Sequence, residues 1–83
     1  MSEDVLERVY QESLEERIIS YLADKERISL EEAMSIYYNS KLANRIHKGE
    51  YGIQYLDYKV LVQILRETEP DLVRKASLSH LQN

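Results

Sequence analysis

An 83-residue chain without cysteine and with a net charge of −4 has room for one domain and one core. The missing cysteines exclude disulfides, thiolate nucleophiles and thiolate metal sites together. The acidity excludes a generic nucleic-acid binder, which is basic overall, and leaves at most a local patch: residues 1–26 carry −5, residues 27–48 carry +2 and residues 49–83 carry −1.

A domain of this size buries only about 60% of the surface its unfolded chain exposes, so association with another copy or a partner is a natural way to widen its margin of stability. No run approaches a membrane span, and the acidic start MSEDVLER lacks the basic and apolar parts of a secretory signal, so the expected compartment is the cytoplasm. Two glycines and one proline leave few breaks and favour long helices. The predicted fold is all-α, a small irregular or orthogonal bundle of four to five helices forming one domain over residues 1–83.

Asp4 followed by Glu7 marks a capping start, and Leu6, Tyr10, Leu14, Ile18 and Leu22 then recur at helical spacing. At about 100° per residue these five cover an arc of about 160°. Val5, Val9 and Ile19 fall outside it. The first helix is therefore wider in its apolar coverage than one buried face needs, and we expect it to pack on the domain with one side and on a second chain with the other. The polar run Ala23–Arg27 ends it.

Ser29 and Glu32 form a capping box that opens a second helix from Leu30 to Tyr38, with Leu30, Ala33, Met34 and Tyr37 as its apolar face. Asn39-Ser40 breaks that helix and supplies a new cap. A third helix runs from Lys41 to about Lys48, with Leu42, Ala43 and Ile46 inward and Gly49 where a left-handed cap is wanted. Residues 51–56 alternate briefly and read as an ordered loop or a single short strand. Asp57 caps a fourth helix whose inner face is Val60, Leu61, Ile64 and Leu65. Thr68 and Asp71 repeat the capping spacing around Pro70, ahead of a last helix through Leu72, Val73, Ala76 and Leu78. Residues 76–83 hold its end, and the final stretch from Ser79 is expected to fray.

No nucleophile stands with a base, no glycine-rich loop is present to cradle phosphate, and no acid pair faces itself, so no enzymatic activity and no cofactor are expected. Glu15-Glu16 and Glu31-Glu32 are adjacent pairs, which do not face each other on a helix and read as capping and solvated positions. His47 and His80 stand on different elements without convergent ligands, so no metal site is expected, and His47 reads as a helix-end cation. Tyr37, Tyr38, Tyr51, Tyr55 and Tyr58 cluster, while Phe and Trp are absent. Base-stacking platforms interleave aromatics with basic residues, which this loop lacks, so the rings belong to a core or an interface.

SLEEAM, NSKLANRI and HKGEY in sequence resemble the DNA-binding unit of excisionase-type regulators. That resemblance implies a second helix presenting Lys41, Asn44, Arg45 and Lys48 to a groove. The segment is about two residues short of the pattern, Tyr37-Tyr38-Asn39 replaces the usual turn glycine, and no basic wing follows. Residues 28–65, through YYNSKLA and YGIQYLDYK, resemble a family of small bacterial helical domains with no assigned activity. That resemblance implies an accessory or antitoxin-like role beside a neighbouring gene product and carries over no functional residue. The expected function is a non-enzymatic protein–protein interaction module, a homodimer or a complex with a partner, using Val5, Val9, Ile19, Tyr51, Tyr55 and Tyr58. The alternative is a small helix–turn–helix DNA-binding regulator.

Overall fold

The computed structural model describes residues 2–75, and it is all-α with no strand among them. Helix α1 spans Ser2–Glu26, α2 Leu30–Tyr38, α3 Lys41–Lys48 and α4 Tyr58–Thr68, with 3₁₀ turns over Glu50–Tyr55 between α3 and α4. A further helix, α5, occupies residues 70–75. The expected Ala76, Leu78 and terminal stretch lie outside the described residues.

α1 is the spine. Its 25 residues rise about 37 Å, and the molecule measures 47 × 20 × 18 Å. α2 and α4 pack along its C-terminal half, while α3 packs on the 3₁₀ segment. The side chains most completely removed from solvent are Ile18 and Leu22 of α1, Tyr37 of α2, Ile46 of α3, and Leu61, Val62 and Leu65 of α4. Leu14, Ile19, Ile36, Leu42 and Val73, with Ala23, Ala33 and Ala43, belong to the same core.

The chain turns where its short polar residues and glycine require it. Ile28 N–H donates to Ala23 O at 3.0 Å, closing the end of α1 in a six-to-one bond with Arg27 left-handed at φ 56°. The Ser29 hydroxyl accepts from Glu32 N–H while the Glu32 carboxylate accepts from Ser29 N–H, both at 3.0 Å, forming the expected capping box. Ser40 caps α3 through Ala43 N–H. A second cap comes from far along the chain: the Glu69 carboxylate accepts from Lys41 N–H at 2.9 Å. Gly49 closes α3 at φ 67°, and a Cβ there would stand 3.1 Å from Gln54 Nε2. Gly49→Ala is therefore expected to cost about 1–2 kcal/mol, the left-handed penalty for an L side chain; a denaturant titration checks it.

Several expectations need correction. α1 begins at Ser2, two residues before the predicted cap at Asp4. Of the two readings of residues 51–56, the short strand does not form: residues 51–55 make 3₁₀ turns, with Tyr51 and Gly52 both left-handed, and Leu56 follows in a bend with extended φ/ψ. Leu30 and Met34 are exposed, and the inner face of α2 is Ala33, Ile36 and Tyr37. Val60 is exposed as well, and Val62 takes its place in the core. Thr68 does not cap α5; its hydroxyl donates back to Ile64 O at 2.7 Å within α4.

Candidate functional site

The two halves of α1 have different surroundings. From Leu14 onward its inner face is covered by α2 and α4, and Ile18 and Leu22 are fully buried. Towards its N-terminus the bundle thins to the 3₁₀ segment. There Tyr10 hydroxyl donates to Gln54 O at 3.0 Å, and Tyr55 hydroxyl donates to the Glu7 carboxylate at 3.2 Å. The other side is open among the described residues: Val5, Leu6 and Val9 are 59, 68 and 57% exposed.

This surface is continuous. Val5 with Val9, and Leu6 with Tyr10, are four-residue neighbours on the helix. The Tyr10 and Tyr55 rings lie 5.6 Å apart, which carries the apolar surface onto the 3₁₀ turn, where Tyr55 is exposed and Tyr51 wholly so. Lower on α1 the outward residues Ser13, Glu16, Arg17 and Ser20 are exposed and polar. Among the described side chains of α1, the apolar back is confined to its upper end.

The structure sorts the six predicted interface residues. Val5, Val9 and Tyr55 stand at this surface, and Tyr51 is wholly exposed on the same 3₁₀ turn as Tyr55. Ile19 does not: at 7% exposed it belongs to the core, because α2 covers that side of α1. Tyr58 is also elsewhere, half-buried with its ring edge-on to Tyr21 at 5.6 Å. Leu6, assigned inward by its spacing, joins the exposed group at 68% exposure: the 3₁₀ turn reaches this level of α1 but meets it through Glu7 and Tyr10.

Tyr51 holds φ 55°, a conformation that costs a non-glycine residue about 1–2 kcal/mol. Asparagine tolerates it better. Tyr51→Asn is expected to raise the stability of the isolated chain by up to about 1 kcal/mol while weakening association, a divergence visible by comparing thermal melts with partner affinity.

A second group of polar side chains joins α1, α2 and α3. Glu15 is buried, and its Oε2 accepts from the Tyr37 hydroxyl at 2.9 Å while lying 2.9 Å from His47 Nε2. Glu15 is thus not the solvated residue expected from its neighbour Glu16, and His47 does more than sit at a helix end. The signal was present in the spacing, since Glu15 precedes Ile18 by three and Leu22 by seven, on the buried stripe. Burial, reinforced by the hydrogen bond to Glu15 and its charge, pushes the Tyr37 hydroxyl well above the ordinary tyrosine range. It therefore serves as a fixed proton donor tying α2 to α1.

Glu15→Ala is expected to cost about 1–3 kcal/mol by stranding the Tyr37 hydroxyl, and Glu15→Gln less, because an amide oxygen still accepts. The sign of the pH effect follows from the raised value. The folded state holds the Tyr37 proton more tightly than the unfolded state, so stability is intact below the ordinary value of 10.0 and falls as pH rises above it. Melts of wild type and Tyr37→Phe between pH 8 and about 11 test this, with the variant showing the shallower alkaline decline.

Lys41, Asn44, Arg45 and Lys48 are all exposed and share one face of α3. Recognition helices read base edges with their N-terminal residues. In this chain that end is occupied by the Glu69 carboxylate, bound to Lys41 N–H and Leu42 N–H. An anion already fills the position at which a phosphate would be attracted. Among the described residues no group of three or more His, Asp or Glu is placed to hold a metal ion, and no helix is long and apolar enough to cross a membrane.

Compared with protein-family models, with curated proteins and with solved structures, the chain matches none.

Proposed function

We propose that this chain is a non-enzymatic protein–protein interaction module whose contact is the N-terminal part of α1 together with the Tyr51–Tyr55 turn. The observation that supports it is the run of Val5, Leu6 and Val9, each more than half exposed, on the outward face of a helix whose lower outward face is polar. Scattered exposed apolar residues are ordinary, but a contiguous set extended through Tyr10 to the exposed Tyr55, with Tyr51 exposed on the same turn, is the composition of an interface centre. Covering it stabilises both the association and a domain too small to be generously stable alone. The accessory or antitoxin-like role is one case, with the product of a neighbouring gene as the covering chain.

The test is a solution mass at micromolar concentration, paired with a pull-down from the host. A dimer or a recovered partner complex is expected. A strictly monomeric species from which no partner is recovered contradicts the proposal.

The exposed basic face of α3 supports a second reading, a small DNA-binding regulator working through Lys41, Asn44, Arg45 and Lys48. It ranks below the first because of the Glu69 carboxylate at the helix start. It requires salt-sensitive binding to duplex DNA that weakens in Arg45→Ala. No binding at low salt to DNA from the chain's own operon removes it.

A further inference from the structure

The exposed apolar surface of α1 leads into a groove. α2, like α1, carries more apolar surface than its core face needs. Ala33, Ile36 and Tyr37 face inward, while Leu30, Met34 and Tyr38, spaced by four, form a second stripe left exposed. That stripe is one wall of a groove of about 530 Å³ between α1 and α2. Across from it α1 contributes Glu12, Glu15 and Glu16, with Ile19 and Ser20, and among the described residues no lysine or arginine lines the space. Burial, with the charges of Glu15 and then Glu12, raises the Tyr38 hydroxyl above its ordinary value, so the field of the acidic wall reaches the apolar one.

The groove and the upper surface are in line. Val9 precedes Glu12 by three residues and Glu16 by seven, which places all three on one stripe of α1. From Val5 to Ser20 that stripe rises about 22 Å, the length of a helix of about 15 residues.

We propose that this groove seats an amphipathic helix of a partner protein, its apolar stripe on Leu30, Met34 and Tyr38 and its lysines or arginines against Glu12 and Glu16. The proposal rests on the partner-binding reading of α1 and names the chemistry of the partner. A helix laid in a groove is recognised by apolar anchors at spacings of three and four, which Leu30, Met34 and Tyr38 complement. Met34 adds a flexible thioether that adapts to the anchor's shape. Glu12 and Glu16 are exposed without a basic neighbour in the groove, and positive charge from the ligand would complete them. A second copy meets these needs poorly. Its α1 brings further acids, its α3 exposes no apolar side chain, and its α4 offers only Val60 as a strongly exposed one.

The experiment uses the full chain and two synthetic amphipathic peptides of about 15 residues, one of leucine and lysine, the other with the same leucine stripe and glutamate in place of lysine. Binding is followed by two-dimensional NMR, with the Met34 methyl and the Ser20 and Tyr38 amides as reporters. The lysine peptide is expected to shift these signals, and the glutamate peptide is expected to leave them unmoved. The double variant Glu12→Lys/Glu16→Lys, with its fold checked by circular dichroism, is expected to bind the lysine peptide at least about tenfold more weakly. Equal binding of both peptides, undiminished binding by the charge-reversed variant, or no Met34 shift at millimolar peptide overturns the groove. Shifts confined to residues 5–10 also overturn it, while leaving the partner-binding reading of α1 standing.

Discussion

Replacing Val5 and Val9 with aspartate is expected to weaken association by about 10²- to 10³-fold and to leave the fold of the isolated chain almost unchanged. Each valine is more than half exposed, so neither substitution removes a core contact, and the effect on monomer stability should stay within about 0.5 kcal/mol. Covering such side chains contributes on the order of 1–2 kcal/mol apiece. A carboxylate forced into the same contact adds the cost of desolvating an unpaired charge. The combined loss is about 3–4 kcal/mol of association free energy. Sedimentation of the wild-type complex and the variant measures it, with a chemical melt of each chain alone as the control. A variant that associates as tightly as wild type removes α1 from the interface.

Leu22→Ala should act in the opposite way, with a loss of about 2–5 kcal/mol in stability, because Leu22 is fully buried against α2 and α4 and its removal leaves a cavity. A domain of this length holds roughly 4–12 kcal/mol in all. One substitution can therefore take a large share of it and lower the melting temperature by about 10–30 °C. Leu6→Ala is the matched comparison. It is the same residue type on the same helix, sixteen residues earlier, yet 68% exposed, so its effect on the isolated chain should be close to zero. The difference between these two leucines is the difference between the two halves of α1. Equal losses at both positions would mean that the upper half is packed within its own subunit.

The local chemistry of helix ends was legible in the chain. Ser29 with Glu32, Ser40, Gly49 and Asp57 all occupy the termini their side chains suit, since capping depends on atoms within a few residues. Helical spacing also gave Ile18, Leu22, Ile46 and Leu65 as core. What spacing alone could not provide is where the neighbouring elements stop. Leu6 and Ile18 obey the same four-residue rhythm, but only Ile18 has α2 and α4 beside it. The same ignorance of neighbours misplaced Ile19, Leu30 and Met34 by a fraction of a turn around their helices. Glu69 at the start of α3 lies 28 residues away from Lys41, and no local pattern announces it. Glu15 was the recoverable miss, a charged residue standing on an otherwise apolar stripe.

The proposed partner contact requires that the apolar back of α1 around Leu6 be covered by another polypeptide when the protein is at work. A photo-reactive side chain placed at position 6 in the host tests it most directly, with the same group at exposed Glu67 on α4 as the control. The expected result is a discrete cross-linked polypeptide from position 6 and none from position 67. Only water-quenched product at position 6, or the same adduct from both positions, would contradict the account.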